Sequence, residues 1–143
     1  MSSIPEHKKK ITEHIEELND AIDIGIEKRP ATIGFHCSTC SIQLLELYLH
    51  KLSLISAGKM IKHNWFERPK PGQKISPLIE RKMPVSFSEK ETIYGLLYDI
   101  EEFRNNLVYG KGSKAQIELV LDRFTKLRLI LTEKLEELGE PIE

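Results

Sequence analysis

The chain predicts an all-α fold, a bundle of four main helices, and three observations carry that reading. Four stretches repeat apolar residues at steps of three and four, the period of one helix face. β-type alternation is almost absent, with "MPVSF" at 83–87 the single short run of that kind. Proline and glycine concentrate at the boundaries and in one long insertion between the second and third helices. A length of 143 residues suits one domain, 1–143, that can bury a sizeable core without metals or disulfides.

The first helix is expected over residues 6–28, with Ile11, Ile15, Leu18, Ile22 and Ile26 on one face. Glu13, Glu16, Glu17, Asp20 and Asp23 fill the other, and Pro30 stops the helix by disfavouring helical geometry in the residue before it. The second is expected over 32–56 and carries two apolar stripes. One holds Cys37, Cys40, Leu44, Leu47, Tyr48 and Ile55, and the other Ile42, Leu45, Leu49 and Leu52. A helix apolar around so much of its circumference must be covered on both sides, and a second subunit is the expected second cover.

Residues 57–87 form the insertion, rich in turn chemistry such as "PKPGQ", with short helical turns expected at "KMIKHNWF" and "SPLIERK". Connections of this length in helical domains are often functional. The third helix is expected over 88–107, opened by a capping box of Ser88 and Glu91, with Ile93, Leu96, Leu97, Ile100, Phe103 and Leu107 buried. Gly110 and Gly112 permit a sharp turn. The fourth, over 113–138, carries a regular stripe from Ile117 to Leu138 and ends at Gly139 and Pro141. Its acidic end, with Glu133, Glu136, Glu137, Glu140 and Glu143, reads as a solvated terminus.

Charge is unevenly placed. The insertion holds Lys59, Lys62, Arg68, Lys70, Lys74, Arg81 and Lys82 against Glu67 and Glu80, a local +5 in a chain of net charge -1. The overall balance excludes a globally basic nucleic-acid binder but not a local patch. Trp65 lies among these cations, an arrangement that suits phosphate contact with base stacking. It also suits a solvated loop that two aromatics pin to the bundle. The first residues lack the apolar core of a signal peptide, and no apolar run approaches the ~18 residues of a membrane span. A cytoplasmic location and no membrane partner are expected.

Cys37 and Cys40 have the spacing of a zinc half-site, but no second pair completes it. On a helix they fall on one apolar stripe, where free cysteine behaves as a small hydrophobe. No metal and no cofactor are expected.

The stretch "RNNLVYG" ends the third helix and is the candidate site. Arg104 offers a planar, permanently charged set of donors suited to phosphate, and Asn105 adds a donor and an acceptor. Tyr109 lies five residues on, about 140° around an unbroken helix. The two converge only if the helix ends between them or if two subunits bring copies together. A purely structural role also fits, with Arg104 paired to Glu101 or Glu46 and Tyr109 packed at the turn.

Arg104-Asn105, three residues, a ring residue and Gly110 together resemble the motif of the HEPN superfamily (higher eukaryotes and prokaryotes nucleotide-binding). The layout is also similar, with a central "LLELYLHKL" helix, a long insertion and a helix ending in the motif. The resemblance implies a homodimer whose two motifs face one another in a cleft. It implies phosphate binding by Arg104 and orientation by Asn105, at a position where many members are metal-independent ribonucleases. Tyr109 stands where the family has histidine. Histidine titrates near neutrality, whereas an ordinary phenol ionises near 10 and is a poor base. The expected function is therefore binding of RNA or a nucleotide in a homodimer cleft with impaired or no catalysis, Tyr109 donating to phosphate or stacking. Lys59, Lys62, Trp65, Arg68, Lys70 and Lys74 complete the expected nucleic-acid surface. The alternatives are a metal-independent ribonuclease of this type, using Arg104, Asn105 and Tyr109, and a non-catalytic interaction module of a toxin–antitoxin-like or nucleotidyltransferase-associated complex.

Overall fold

Along the chain run α1 (Ile4–Ile24), α2 (Pro30–Lys51), a 3-10 turn at His63–Phe66, a short α3 (Leu78–Lys82), α4 (Lys90–Tyr109) and α5 (Lys114–Glu137). The computed structural model describes residues 3–142, so Glu143 lies outside them. The fold is an all-α bundle, and no strand forms among the described residues, the 83–87 run included. No helix is long and apolar enough to cross a membrane among these residues.

The helix starts follow local chemistry. Ser3 and Glu6 form a reciprocal capping box on α1, with bonds of 3.3 and 2.9 Å, and Ser113 and Gln116 form another on α5, both bonds 3.2 Å. The box expected at Ser88 and Glu91 does not form. The chain enters α4 through Glu89, which is left-handed at φ 62° and ψ 23°, and no side chain caps the helix. Ser88 therefore falls one residue too early to serve. Lys90 secures the start instead, reaching the carboxylate of Glu80 at 2.7 Å and the carbonyl of Val85.

α2 is the hub. It packs against α1, α4 and α5, whereas α1 packs on α2 alone among the helices. Both of its stripes are buried, from Ile33, Cys37, Cys40, Leu44 and Leu47 to Ile42, Leu45 and Leu49. The second cover predicted from a partner subunit is thus supplied by the chain itself: α1 shields one side, and α4 with α5 shields the other. Helix one departs slightly from its expected stripe, because Ala21 is buried and Ile22 is 44% exposed.

The insertion folds back on the bundle. Phe66 is fully buried, with its ring edge-on to Tyr94 at 5.1 Å and Tyr98 at 5.8 Å. Trp65, Ile79 and Met83 are buried with it, and Phe87 packs between Tyr48 and Tyr94 at 6.0 and 5.7 Å. Glu140, read from sequence as part of a solvated tail, instead joins Lys8 at 2.8 Å and Lys51 at 3.3 Å, tying the end of the chain to α1 and α2. Both cysteines are free and buried. Burial pushes the Cys37 thiol well above the ordinary thiol range and Cys40 up to about 12, so neither is a ready thiolate.

Histidines line the antiparallel seam between α1 and α2. His14 Nδ1 and His36 Nδ1 lie 2.7 Å apart, so one ring donates to the other's lone pair. The pair can take one further proton, on the donor's Nε2, and keep that bond; a second would break it. Burial is the leading cause that holds His7, His14 and His36 below the ordinary value of 6.5. Lys10 reinforces the shift at His7 and His14, while Glu13 and Glu17 oppose it at His36. The unfolded chain therefore binds protons more readily, and the stability these rings contribute is full above pH 6.5 and lost as pH falls below it. The Tm is expected to be a few degrees lower at about pH 5.5 than at about pH 7.5, with a smaller drop in His36→Gln. Glu46 and Glu101, whose carboxyls burial raises, act in the opposite sense in both proteins, so the difference between the two isolates the imidazole pair. Equal pH slopes in wild type and variant would refute this account.

Candidate nucleic-acid interface at the end of α4

The close approach of α2 and α4 positions the "RNNLVYG" stretch. Gly34 has no side chain, and a Cβ there would lie 2.8 Å from Leu107 Cβ and 3.4 Å from the Arg104 carbonyl oxygen. The final turns of α4 therefore press directly against the start of α2. Arg104 is 6% exposed in this crossing. Its Nη1 donates to Asn105 Oδ1 at 3.1 Å, and its Nε has no hydrogen-bond partner among the described residues. No carboxylate forms an ion pair with it there: Glu101 feels its charge but bonds elsewhere, and Glu46 lies with Ile61. Neither pairing expected under a structural role is present.

α4 runs unbroken through Tyr109, so Arg104 and Tyr109 stay on different faces. Tyr109 is 79% exposed, in contrast to the buried Arg104. The structure thus brings Arg104 and Asn105 together and leaves Tyr109 apart within one chain. It also does not pack Tyr109 at the turn, as the structural role required.

Asn105 is exposed and opens onto a cavity of about 490 Å³ between α4 and the 63–71 segment. Tyr98, Glu101, His63, Arg68 and Lys70 also line it. His63 Nδ1 lies 2.7 and 2.9 Å from the two oxygens of Glu101. Burial raises the Glu101 carboxyl above the ordinary range, against the pull of His63 and the Arg104 charge. At Asp99 burial also works against the charge, but hydrogen bonds from Arg68 and Arg123 overcome it and hold the carboxyl below the ordinary range.

The predicted cationic surface divides. Arg68 Nη2 donates to Asp99 at 2.7 Å and Nη1 to Glu102 at 3.0 Å, and its guanidinium lies 5.4 Å from the Tyr98 ring. Lys59 covers the Trp65 ring at 5.4 Å. Trp65 is buried, so it anchors the insertion and does not present a face for a base in this arrangement, a correction to its expected stacking role. Lys62, Lys70 and Lys74 are exposed and form no ion pair among the described residues. The local +5 is therefore tempered by acids that come from α4. Sequence reasoning passed over Tyr98 and placed Glu101 only as a partner of Arg104, not as a cavity residue bonded to His63. The signal was spacing: Glu101 lies one helical turn before Arg104 and Asn105, and Tyr98 one turn before Glu101.

Comparison with known proteins yields no match to this chain among family models, curated proteins or solved structures.

Proposed function

We propose that the chain is a HEPN-like domain that binds RNA or a nucleotide in a cleft between two copies, with impaired or no catalysis. The observation that supports it is Arg104. A guanidinium held at a helix crossing, without a carboxylate partner and with Nε unpaired, is a costly arrangement unless an anion completes it. Asn105 links it to the cavity, and Lys62, Lys70 and Lys74 supply diffuse attraction for phosphates. A site that uses both Arg104 and Tyr109 takes its tyrosine from the second copy, because α4 holds the two apart within one chain. There Tyr109 donates a hydrogen bond or stacks on a base.

Titration with labelled RNA and with nucleoside phosphates is the test. Arg104→Ala is expected to weaken binding about tenfold or more, the loss of a charge-assisted contact, and wild-type affinity is expected to fall with salt. Affinity unchanged by Arg104→Ala, or no binding in wild type, would sink the proposal. RNA cleaved without added metal, and left intact by Arg104→Ala, would favour the ribonuclease. The burial of Arg104 favours a second reading, a non-catalytic interaction module, in which the same substitution lowers the Tm and changes no affinity.

A further inference from the structure

About three turns along α2 from the Gly34 crossing, a separate group of side chains converges. Ring nitrogens of His7 and His50 and a carboxylate oxygen of Glu46 lie within 4.8 Å of one another. His7 comes from the first turn of α1, while Glu46 and His50 are one turn apart on α2. His7 is 1% exposed and Glu46 4%. We propose that these three residues form a binding site for a borderline divalent cation of the Zn²⁺ type.

The surroundings are built for that use. His7 Nδ1 lies 2.6 Å from Gln43 Oε1, which can only accept through that oxygen, so Nδ1 carries the proton and Nε2 keeps its lone pair. His7 Nε2 is buried without a hydrogen-bond partner, and so is His50 Nδ1. Glu46 Oε2 accepts the Ile61 backbone N–H at 2.8 Å, the outer hydrogen bond that commonly orients a ligating carboxylate. Without a cation, two buried imidazole nitrogens and a desolvated carboxylate face one another with no hydrogen bond between them, which is costly. Two nitrogens and one oxygen suit zinc and its neighbours better than calcium or magnesium. Ligands around a tetrahedral ion sit about 3.3 Å apart, so small side-chain rotations close the set. His7 and His50 also line a cavity of about 640 Å³ with Ser3, Ser53 and Ser56, which leaves a fourth position open to water. Lys10 is the cation within electrostatic reach of His7 and Glu46, and its side chain is exposed.

The full chain, stripped with a chelator and titrated with Zn²⁺ by calorimetry, is expected to take up one equivalent and to melt at a higher temperature when loaded. His50→Ala and Glu46→Gln are expected to abolish that equivalent, and Gln43→Leu to weaken it about 10–100-fold. Circular dichroism checks that each variant is folded, and the near-isosteric Glu46→Gln decides the matter should His50→Ala fail to fold. His36→Gln and the double change Cys37→Ser with Cys40→Ser are expected to bind as wild type does. No uptake by wild type, retention in Glu46→Gln, or loss in the cysteine variant would overturn the assignment.

Discussion

Phe66→Ala is expected to cost about 3–5 kcal/mol, the range for deleting a fully buried aromatic ring. The ring fills the junction between the insertion and α4 and contributes two edge-on contacts, each worth about 0.5–1.5 kcal/mol beyond burial. Its loss leaves smaller or less buried side chains, Ile61, Trp65, Ile79 and Met83, to hold some thirty residues of turn-rich chain against the bundle. In a domain of this size the expected fall in Tm is on the order of 10 °C. Urea denaturation monitored by Trp65 fluorescence gives the free energy directly. A loss below about 1 kcal/mol would mean that the insertion opens independently of the core and that its cavity wall is not fixed.

The second large effect is expected at Gly34. An added Cβ would come within 2.8 Å of Leu107 Cβ. Both atoms are fixed to helix backbones and cannot rotate away, so α2 and α4 must separate. Overpacking of this kind costs about 1–3 kcal/mol, which outweighs the ~1 kcal/mol of helix propensity that alanine gains over glycine. Gly34→Ala is therefore expected to be destabilising, and Gly34→Val more so. Gly95, in the interior of α4, is the matched control: a Cβ there meets nothing within 4 Å, so Gly95→Ala is expected to stabilise by about 0.5–1 kcal/mol. Equal effects at the two glycines, read as shifts in denaturation midpoint, would contradict the crossing geometry. Because the Arg104 carbonyl lies 3.4 Å from the same Cβ position, a change at Gly34 also displaces the candidate site.

Periodicity located the four long helices because each carries a face that water disfavours. It did not assign the faces to partners. The two stripes of α2 were legible, yet whether α1, α5 or another subunit covers each one is a question of tertiary order. The same limit governs the caps. Ser88–Glu91 and Ser113–Gln116 are equivalent on paper, and only the backbone entering α4 at Glu89 separates the one that fails from the one that forms. For the aromatics of the cationic loop a stacking surface and an anchor to the bundle both fitted the sequence, and the anchor forms because large rings in a charged loop gain most by entering the core. At the candidate site Arg104 and Asn105 could be picked out by residue type. The pairing of Arg68 with Asp99 and Glu102 could not, since it joins residues some thirty positions apart. The His7–Glu46–His50 group escaped for a similar reason: the pair on α2 has a visible spacing, and its third member comes from another helix.

Among the helices α1 rests on α2 alone, like a stave laid against a three-helix body. The contacts that hold the stave are the hydrogen bonds of His14 with His36 and of His7 with Gln43, a lysine–carboxylate pair at Glu140 and an apolar seam. Its departure would bare the stripe around Cys40, whose thiol now faces the Ile11 carbonyl at 3.9 Å. The chain thus carries within its core a chemical reporter for the opening of α1.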